Sequence, residues 1–99
     1  MKVMLPKKKN KAGLELVSEV YAGNPYDYYP MGEYVVAARG VCGGRPTLKY
    51  TRMDARWVMM YLENGRSPEE LAATHGVLVE AIREVVALSS IYDYEKSYA

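Results

Sequence analysis

The chain has 99 residues, with 13 Lys and Arg against 12 Asp and Glu, and a formal net charge of +1. This length allows one small domain, and the near balance of charge argues against a protein that binds nucleic acid through bulk positive charge alone. Cys42 is the only cysteine, which excludes an internal disulfide and a cysteine-based metal cluster. The lone thiol suits a reducing cytoplasm, where we expect the protein to act. The longest apolar run, residues 57–62, is far shorter than the roughly 18 residues of a membrane helix.

Residues 1–13 are basic and contain little that a core could bury. Lysines cluster there at positions 7, 8, 9 and 11. This composition predicts a flexible basic N-terminal segment, followed by a single domain over residues 14–99. A nucleic-acid arm and a localisation address are alternative interpretations of the lysines.

Residues 14–21 fit either a short strand or a short helix. The following stretch, residues 21–34, contains Gly-Asn-Pro and Tyr-Pro-Met-Gly, which are typical of turns. Its five tyrosines could stack on nucleic-acid bases or, as is more common, attach a loop to the core. They are Tyr21, Tyr26, Tyr28, Tyr29 and Tyr34.

A β-hairpin is predicted over about residues 34–52. The apolar run from Tyr34 to Ala38 is typical of a strand, and the glycines at positions 40, 43 and 44 are typical of a turn. The alternation of side-chain character over residues 47–51 is typical of a second strand.

Three helices are predicted over about residues 54–95. Asp54 can cap the first, whose apolar residues recur at helical spacing until Asn64-Gly65 ends it. Ser67-Pro68-Glu69-Glu70 is a capping box that opens the second helix, and Gly76 ends it. The third runs from about Leu78 to Tyr92 or beyond.

These elements together predict a mainly α fold: an N-terminal β-hairpin followed by a three-helix, helix-turn-helix-like bundle of the homeodomain-like or winged-helix-like kind. The spacing of Ala72, Gly76 and Ile82 matches the small residue, the tight turn and the buried anchor of a helix-turn-helix. Any close helical corner has similar needs, so the spacing indicates a shape more than DNA binding.

Positive charge gathers around the hairpin and could contact phosphates. Ordinary surface charge is the alternative interpretation. The start of the third helix argues against base reading, because aliphatic and acidic residues stand where Arg, Lys, Asn and Gln commonly read bases. The residues that we predict as DNA contacts are Arg45, Lys49, Arg52, Arg56 and Arg83.

The third helix is apolar on more than one side, which is typical of a helix that packs on two surfaces. We expect the second surface to contact a partner, most simply another copy of the chain. Cover by an N-terminal segment is the alternative. The predicted interface residues are Leu78, Val79, Val86 and Ile91.

Nothing in the sequence favours catalysis. His75 is the only histidine, and neither His75 nor Cys42 has a partner for nucleophilic chemistry at a recognisable spacing. No clustered metal ligands appear. We therefore predict a protein that is not an enzyme and that uses no metal and no cofactor.

A family resemblance extends these expectations. The pattern Cys42-Gly43-Gly44, Pro46 and Thr51-Arg52, followed by Gly65 and the segment from Ser67 to Leu71, resembles a family of small prokaryotic proteins known as domain-of-unknown-function family 433. The resemblance covers about residues 35–88 and implies a β-hairpin joined to a three-helix, helix-turn-helix-like domain. Members are often compared with antitoxins, which bind their own promoter and wrap a toxin.

Two departures from the family pattern stand out. Tyr50 occupies the place where the family usually has Gly before Thr-Arg, so we expect the strand end to be built differently. His75-Gly76 replaces the usual Tyr-Pro, and Val77 or Leu78 stands at the usual Thr cap.

Two functions follow as hypotheses. The first is a cytoplasmic, homodimeric, antitoxin-type DNA-binding transcription regulator. The second is a protein-interaction module, for toxin binding or dimerisation, that keeps the helix-turn-helix-like fold without binding DNA. The expected partners are a second copy, DNA and a toxin protein, and no membrane.

Overall fold

Two strands precede the predicted hairpin in the computed structural model, which describes residues 8–99. Strand β1 spans Val17–Tyr21 and strand β2 spans Asn24–Pro30. Ala22 and Gly23 join them with φ angles of 51° and 79°, and a type I′ turn needs positive φ at both positions. The turn signals in residues 21–34 thus lie at or near the two ends of a tyrosine-rich strand that the sequence analysis did not predict.

The predicted hairpin is confirmed as the second half of the sheet. Strand β3 spans Val35–Ala38 and strand β4 spans Pro46–Leu48, with Val35 opposite Leu48. All neighbouring strands run antiparallel, in the order β1-β2-β3-β4.

Three helices follow the sheet, and the two caps predicted for them are confirmed. Helix α1 spans Ala55–Glu63, and the Asp54 carboxylate accepts a hydrogen bond from the Arg56 amide. Helix α2 spans Pro68–His75, and the Ser67 hydroxyl accepts from the Glu70 amide. Helix α3 spans Val79–Leu88. It ends before Tyr92, up to which the sequence predicted it. Ser89 and Ser90 are weak helix formers, and the amides of residues 91 and 92 both donate hydrogen bonds to the Leu88 carbonyl oxygen.

The predicted mainly α fold class was wrong. A four-stranded antiparallel sheet with three helices is an α+β fold. The error came from β1 and β2, since prolines at positions 25 and 30 favour turns and the tyrosines between them gave no clean alternation of apolar and polar residues.

The main core lies between the helices and one face of the sheet. Tyr29, Val35 and Leu48 contribute from the sheet, and Val58 and Ile82 contribute from the helices. Strand β3 is buried on both faces, because Val36 and Ala38 pack with Tyr28 in a smaller cluster on the opposite side. The helices are thereby fixed against the hairpin, and this positions the surface described below.

The last part of the predicted flexible segment, residues 8–13, forms a turn against the sheet. The Asn10 side chain accepts hydrogen bonds from the amides of Ala12 and Leu14, and the backbone of Lys9 forms an antiparallel β-bridge with that of Glu15. The first seven residues of the predicted segment lie outside the described residues. Within residues 8–99, no helix is long and apolar enough to cross a membrane.

Tyr94 joins the segment after α3 to the core. Its ring is buried, and its hydroxyl donates a hydrogen bond to the Val85 carbonyl oxygen. Burial raises the pKa of this hydroxyl above its ordinary value, so the folded protein resists its ionisation.

We expect alkaline pH to destabilise the protein partly through Tyr94. A raised folded-state pKa gives stability that is complete below the ordinary tyrosine pKa and is lost as pH rises through the folded value. The free energy of unfolding in urea should therefore begin to fall as pH rises above about 10, the ordinary tyrosine pKa. The fall should be smaller in Tyr94→Phe, and an identical fall in the two proteins would contradict this assignment.

Candidate functional site

Two of the predicted DNA-contacting arginines converge on one buried carboxylate. Arg45 Nη2 and Arg56 Nη2 each lie 3.4 Å from Asp54 Oδ2, and Asp54 is only 3% exposed. Arg56 Nη1 also lies 3.1 Å from Glu95 Oε2. These two guanidinium groups hold β4 against the start of α1, and their charge is largely neutralised within the molecule.

Two further predicted DNA contacts also have acidic partners. Lys49 Nζ lies 3.8 Å from Glu19 Oε2, and Arg83 Nη2 lies 2.6 Å from Glu69 Oε1. Arg52, the fifth, is exposed and forms no ion pair within residues 8–99. The structure therefore brings Arg45 and Arg56 together but does not join the five predicted cations into one patch of free positive charge.

An apolar groove lies between the turn that joins α2 to α3 and the β3–β4 hairpin. It has a volume of about 430 Å³, and Leu78 lines it while remaining 59% exposed. Gly76 takes a left-handed conformation with φ 65° and ends α2, so that Val77 and Leu78 lead directly into α3. The remaining lining residues are Glu33, Tyr34, Leu48, Lys49, Tyr50, Thr51 and Ala81.

One carboxylate, that of Glu33, lines this groove beside Tyr34, and Glu80 and Glu84 are near enough to affect the Tyr34 hydroxyl. Glu33 raises the pKa of the Tyr34 hydroxyl most, with further contributions from burial, Glu80 and Glu84. Within the described part of the chain, Glu33 and Glu80 form no ion pair. Lys49, on the opposite side of the groove, forms an ion pair with Glu19, which offsets its charge. The groove therefore has an acidic border.

The four predicted interface residues differ in exposure. Leu78, Val86 and Ile91 are 59%, 44% and 68% exposed, as a partner surface would require. Val79 is half-buried and packs against the main core. Only Leu78 among the four lines the groove.

Glu84, on α3, makes long-range hydrogen bonds that the sequence did not indicate. Its Oε1 accepts hydrogen bonds from the amides of Tyr34 and Val35, both at 2.8 Å, and its Oε2 accepts from the Glu33 amide at 3.0 Å. A Cβ atom at Gly32 would collide with the Glu84 carboxylate, so the loop approaches closely because glycine stands there. Glu84 thereby fixes the β2–β3 loop, which forms one side of the groove.

Cys42 and His75, the residues considered for nucleophilic chemistry, contact different residues. No cluster of His, Cys, Asp and Glu among residues 8–99 could hold a metal ion. The Cys42 thiol donates to the Arg52 carbonyl oxygen, and His75 is exposed with its ring 6.2 Å from that of Tyr61.

Most of the residues that line the groove, and all three helices, lie in a segment that matches a family model. A family model described as "Protein of unknown function (DUF433)" matches residues 35–88. The chain belongs to the DUF433 family. Comparison with curated proteins and with solved structures gave no match. The matched DUF433 segment runs from the first residue of β3 to the last of α3, and β1 and β2 lie outside it.

Tyr50 shows how this DUF433 member accommodates a bulky residue at the strand end. Its φ is 65°, the left-handed conformation that glycine adopts most easily. Its ring stacks on Tyr21 with centroids 4.3 Å apart, and its amide donates to the Tyr26 hydroxyl. These contacts offset a backbone strain of roughly 1–2 kcal/mol.

Two tyrosines of the sheet and its end, Tyr28 and Tyr50, also contact Lys49, one of the predicted DNA contacts. Its ammonium lies 4.7 Å from the centre of the Tyr28 ring and 4.9 Å from that of Tyr50. The Tyr28 side chain makes the largest contribution to raising the pKa of Lys49. The tyrosine segment thus packs on its own sheet and on Lys49.

Proposed function

We propose that this DUF433 protein is an interaction module that binds an apolar, basic segment of another protein in the groove beside Leu78. The observation that carries the proposal is the exposure of Leu78, 59%, over a groove with an acidic border. When a partner covers an exposed apolar side chain that a fixed turn positions, the burial lowers the free energy of the complex. The lone thiol of Cys42 fits action in the reducing cytoplasm.

Charge defines the chemistry of the partner. Among residues 8–99, Glu33 and Glu80 form no ion pair, so a partner that carries Lys or Arg beside its apolar residues complements them. A second copy docked symmetrically on this groove would instead set these carboxylates against their equivalents. We therefore assign the groove to a different protein, and a toxin is the kind of partner that the resemblance of the sequence implies.

A DNA-binding, antitoxin-type regulator is the second candidate. It is favoured by the corner between α2 and α3, where Ala72 is buried, Gly76 is left-handed and Ile82 is fully buried, as a helix-turn-helix-like domain requires. Against it stand the carboxylate partners of Arg45, Lys49, Arg56 and Arg83. A phosphate would have to displace these carboxylates.

Selection from a random-sequence peptide library tests the interaction module. We expect wild-type protein to enrich peptides in which one or two apolar residues adjoin Lys or Arg. Leu78→Lys should weaken their binding at least about tenfold, because it removes roughly 1.5–3 kcal/mol of apolar burial and places a cation against a cation. Ile91→Lys is the matched control, since the Ile91 side chain is exposed to a similar degree as that of Leu78 but lies outside the groove.

The outcomes separate the candidates. Peptides that bind wild type and Leu78→Lys equally well, or a selection dominated by acidic peptides, would contradict the proposal. In parallel, titration with a duplex from the gene's own upstream region should show no preference over scrambled duplex. Tight, sequence-dependent binding that falls steeply with salt would establish the regulator instead.

A further inference from the structure

A separate pocket lies between the turn of residues 10–13 and the segment that follows α3. It has a volume of about 640 Å³ and shares no lining residue with the groove beside Leu78. Lys9 and Lys11 line it from the turn, and Lys96 lines it from the segment after α3. A concave pocket of this volume is typical of a site for a small molecule.

Hydrogen bonds hold the two sides of this pocket together. The Asn10 side-chain amide donates to the Tyr98 carbonyl oxygen at 2.7 Å, while its oxygen accepts from the amides of Ala12 and Leu14. The Tyr98 amide donates in turn to the Gly44 carbonyl oxygen at 2.9 Å. The backbone that carries the three lysines is therefore fixed, although they come from opposite ends of the sequence.

The charge of these lysines is not offset by an ion pair. All three are exposed, and none forms an ion pair with any carboxylate of residues 8–99. No Asp or Glu side chain is among the lining residues. Arg39, which also forms no ion pair in this range, donates from Nη2 to the hydroxyl of the lining residue Tyr29 at 3.4 Å. A fourth cation thus lies beside the pocket.

The sequence before the described range adds no counter-charge. Positions 1–7 read MKVMLPK, with two lysines and no Asp or Glu. The positive charge of this pocket therefore requires an anion from outside the chain. In this it differs from four of the five predicted DNA contacts, which have carboxylate partners.

We propose that this pocket binds the phosphate group of a small molecule. The lysine ammonium is a compact point charge that commonly binds phosphate, and three of them around one pocket suit a group with two or more negative charges. Like charges held around one pocket also repel each other, so a multiply charged anion relieves that repulsion. Tyr29 and Tyr98 line the remaining volume and offer a surface to the group that carries the phosphate.

Isothermal titration calorimetry of the full chain with pyrophosphate at low salt tests the proposal. We expect one saturable site with a dissociation constant on the order of 0.1 mM. The double variant Lys11→Gln with Lys96→Gln should weaken binding at least about tenfold, because it removes two charge-assisted contacts.

Arg52→Gln combined with Arg66→Gln is the matched control. It removes the same net charge from two exposed cations that lie outside the pocket and form no ion pair within residues 8–99. Its affinity for pyrophosphate should stay within about threefold of wild type, since only the long-range field changes. Thermal unfolding without ligand checks that both double variants fold.

Three results would overturn the proposal. They are equal weakening in the two double variants, the absence of saturable binding up to about 10 mM pyrophosphate, and acetate binding as tightly as pyrophosphate at equal ionic strength. Displacement of pyrophosphate by duplex DNA at physiological salt would identify a nucleic-acid surface instead of a small-molecule site. Leu78→Lys should bind pyrophosphate like the wild type, so failure of the groove leaves this result unaffected.

Discussion

Replacing Glu84 by Ala is expected to lower the free energy of unfolding by about 3 kcal/mol, as measured by urea denaturation. The Glu84 carboxylate accepts three backbone hydrogen bonds, and bonds to a charged group contribute roughly 1.5–3 kcal/mol each without adding fully. Its loss leaves the amides of Glu33, Tyr34 and Val35 without their acceptor. The β2–β3 loop and one side of the groove would lose their attachment to α3.

Two variants make the Glu84 result specific. Glu84→Gln retains one carbonyl acceptor without the charge, so its loss should be about half that of the Ala variant. Glu80→Ala removes a carboxylate from an exposed position on the same helix, and we expect a change within about 0.5 kcal/mol. If Glu84→Ala destabilised no more than Glu80→Ala, Glu84 would not fix the loop.

Replacing Asp54 by Ala is expected to destabilise the protein by about 3–5 kcal/mol. Asp54 caps α1 through the Arg56 amide, and it also neutralises the guanidinium groups of Arg45 and Arg56. Removing it leaves two partly buried cations facing each other without their carboxylate. Urea denaturation of the variant measures the loss.

Asp54→Asn separates the two roles of this residue. The amide oxygen of asparagine can still accept from the Arg56 amide, so the cap is kept while the ionic partner is lost. We expect a loss between those of wild type and Asp54→Ala. An Asn variant as stable as wild type would mean that the arginines do not depend on Asp54, contrary to the geometry.

Local signals predicted much of the helical half of the fold. Asp54, Ser67 and Gly76 act through neighbours two to four residues away, so their roles could be inferred from the sequence alone. The sheet was harder, since β2 has prolines near both ends and its tyrosines face both sides. Burial of Tyr28 and Tyr29 depends on which elements cover each face, which periodicity does not reveal.

The candidate site was predicted only in part, because its key contacts join distant residues. Leu78 was singled out from its position at the start of α3, and the structure places it at the groove. The sequence showed the charges of Arg45 and Arg56 but not their convergence on Asp54. Glu84 meets amides about 50 residues away, and Gly32 beside them was the one local sign of a close approach.

Two-dimensional NMR of the 15N-labelled protein, titrated with a peptide selected as above, tests the interaction module most directly. We predict that the amides of Leu48, Thr51, Val77, Leu78 and Ala81 shift together and saturate, while those of Arg45 and Arg56 do not. Duplex DNA added to the same sample should leave the groove amides unchanged. A peptide that shifts residues elsewhere, or a duplex that shifts Arg45, Arg52 and Arg56 at physiological salt, would contradict the account.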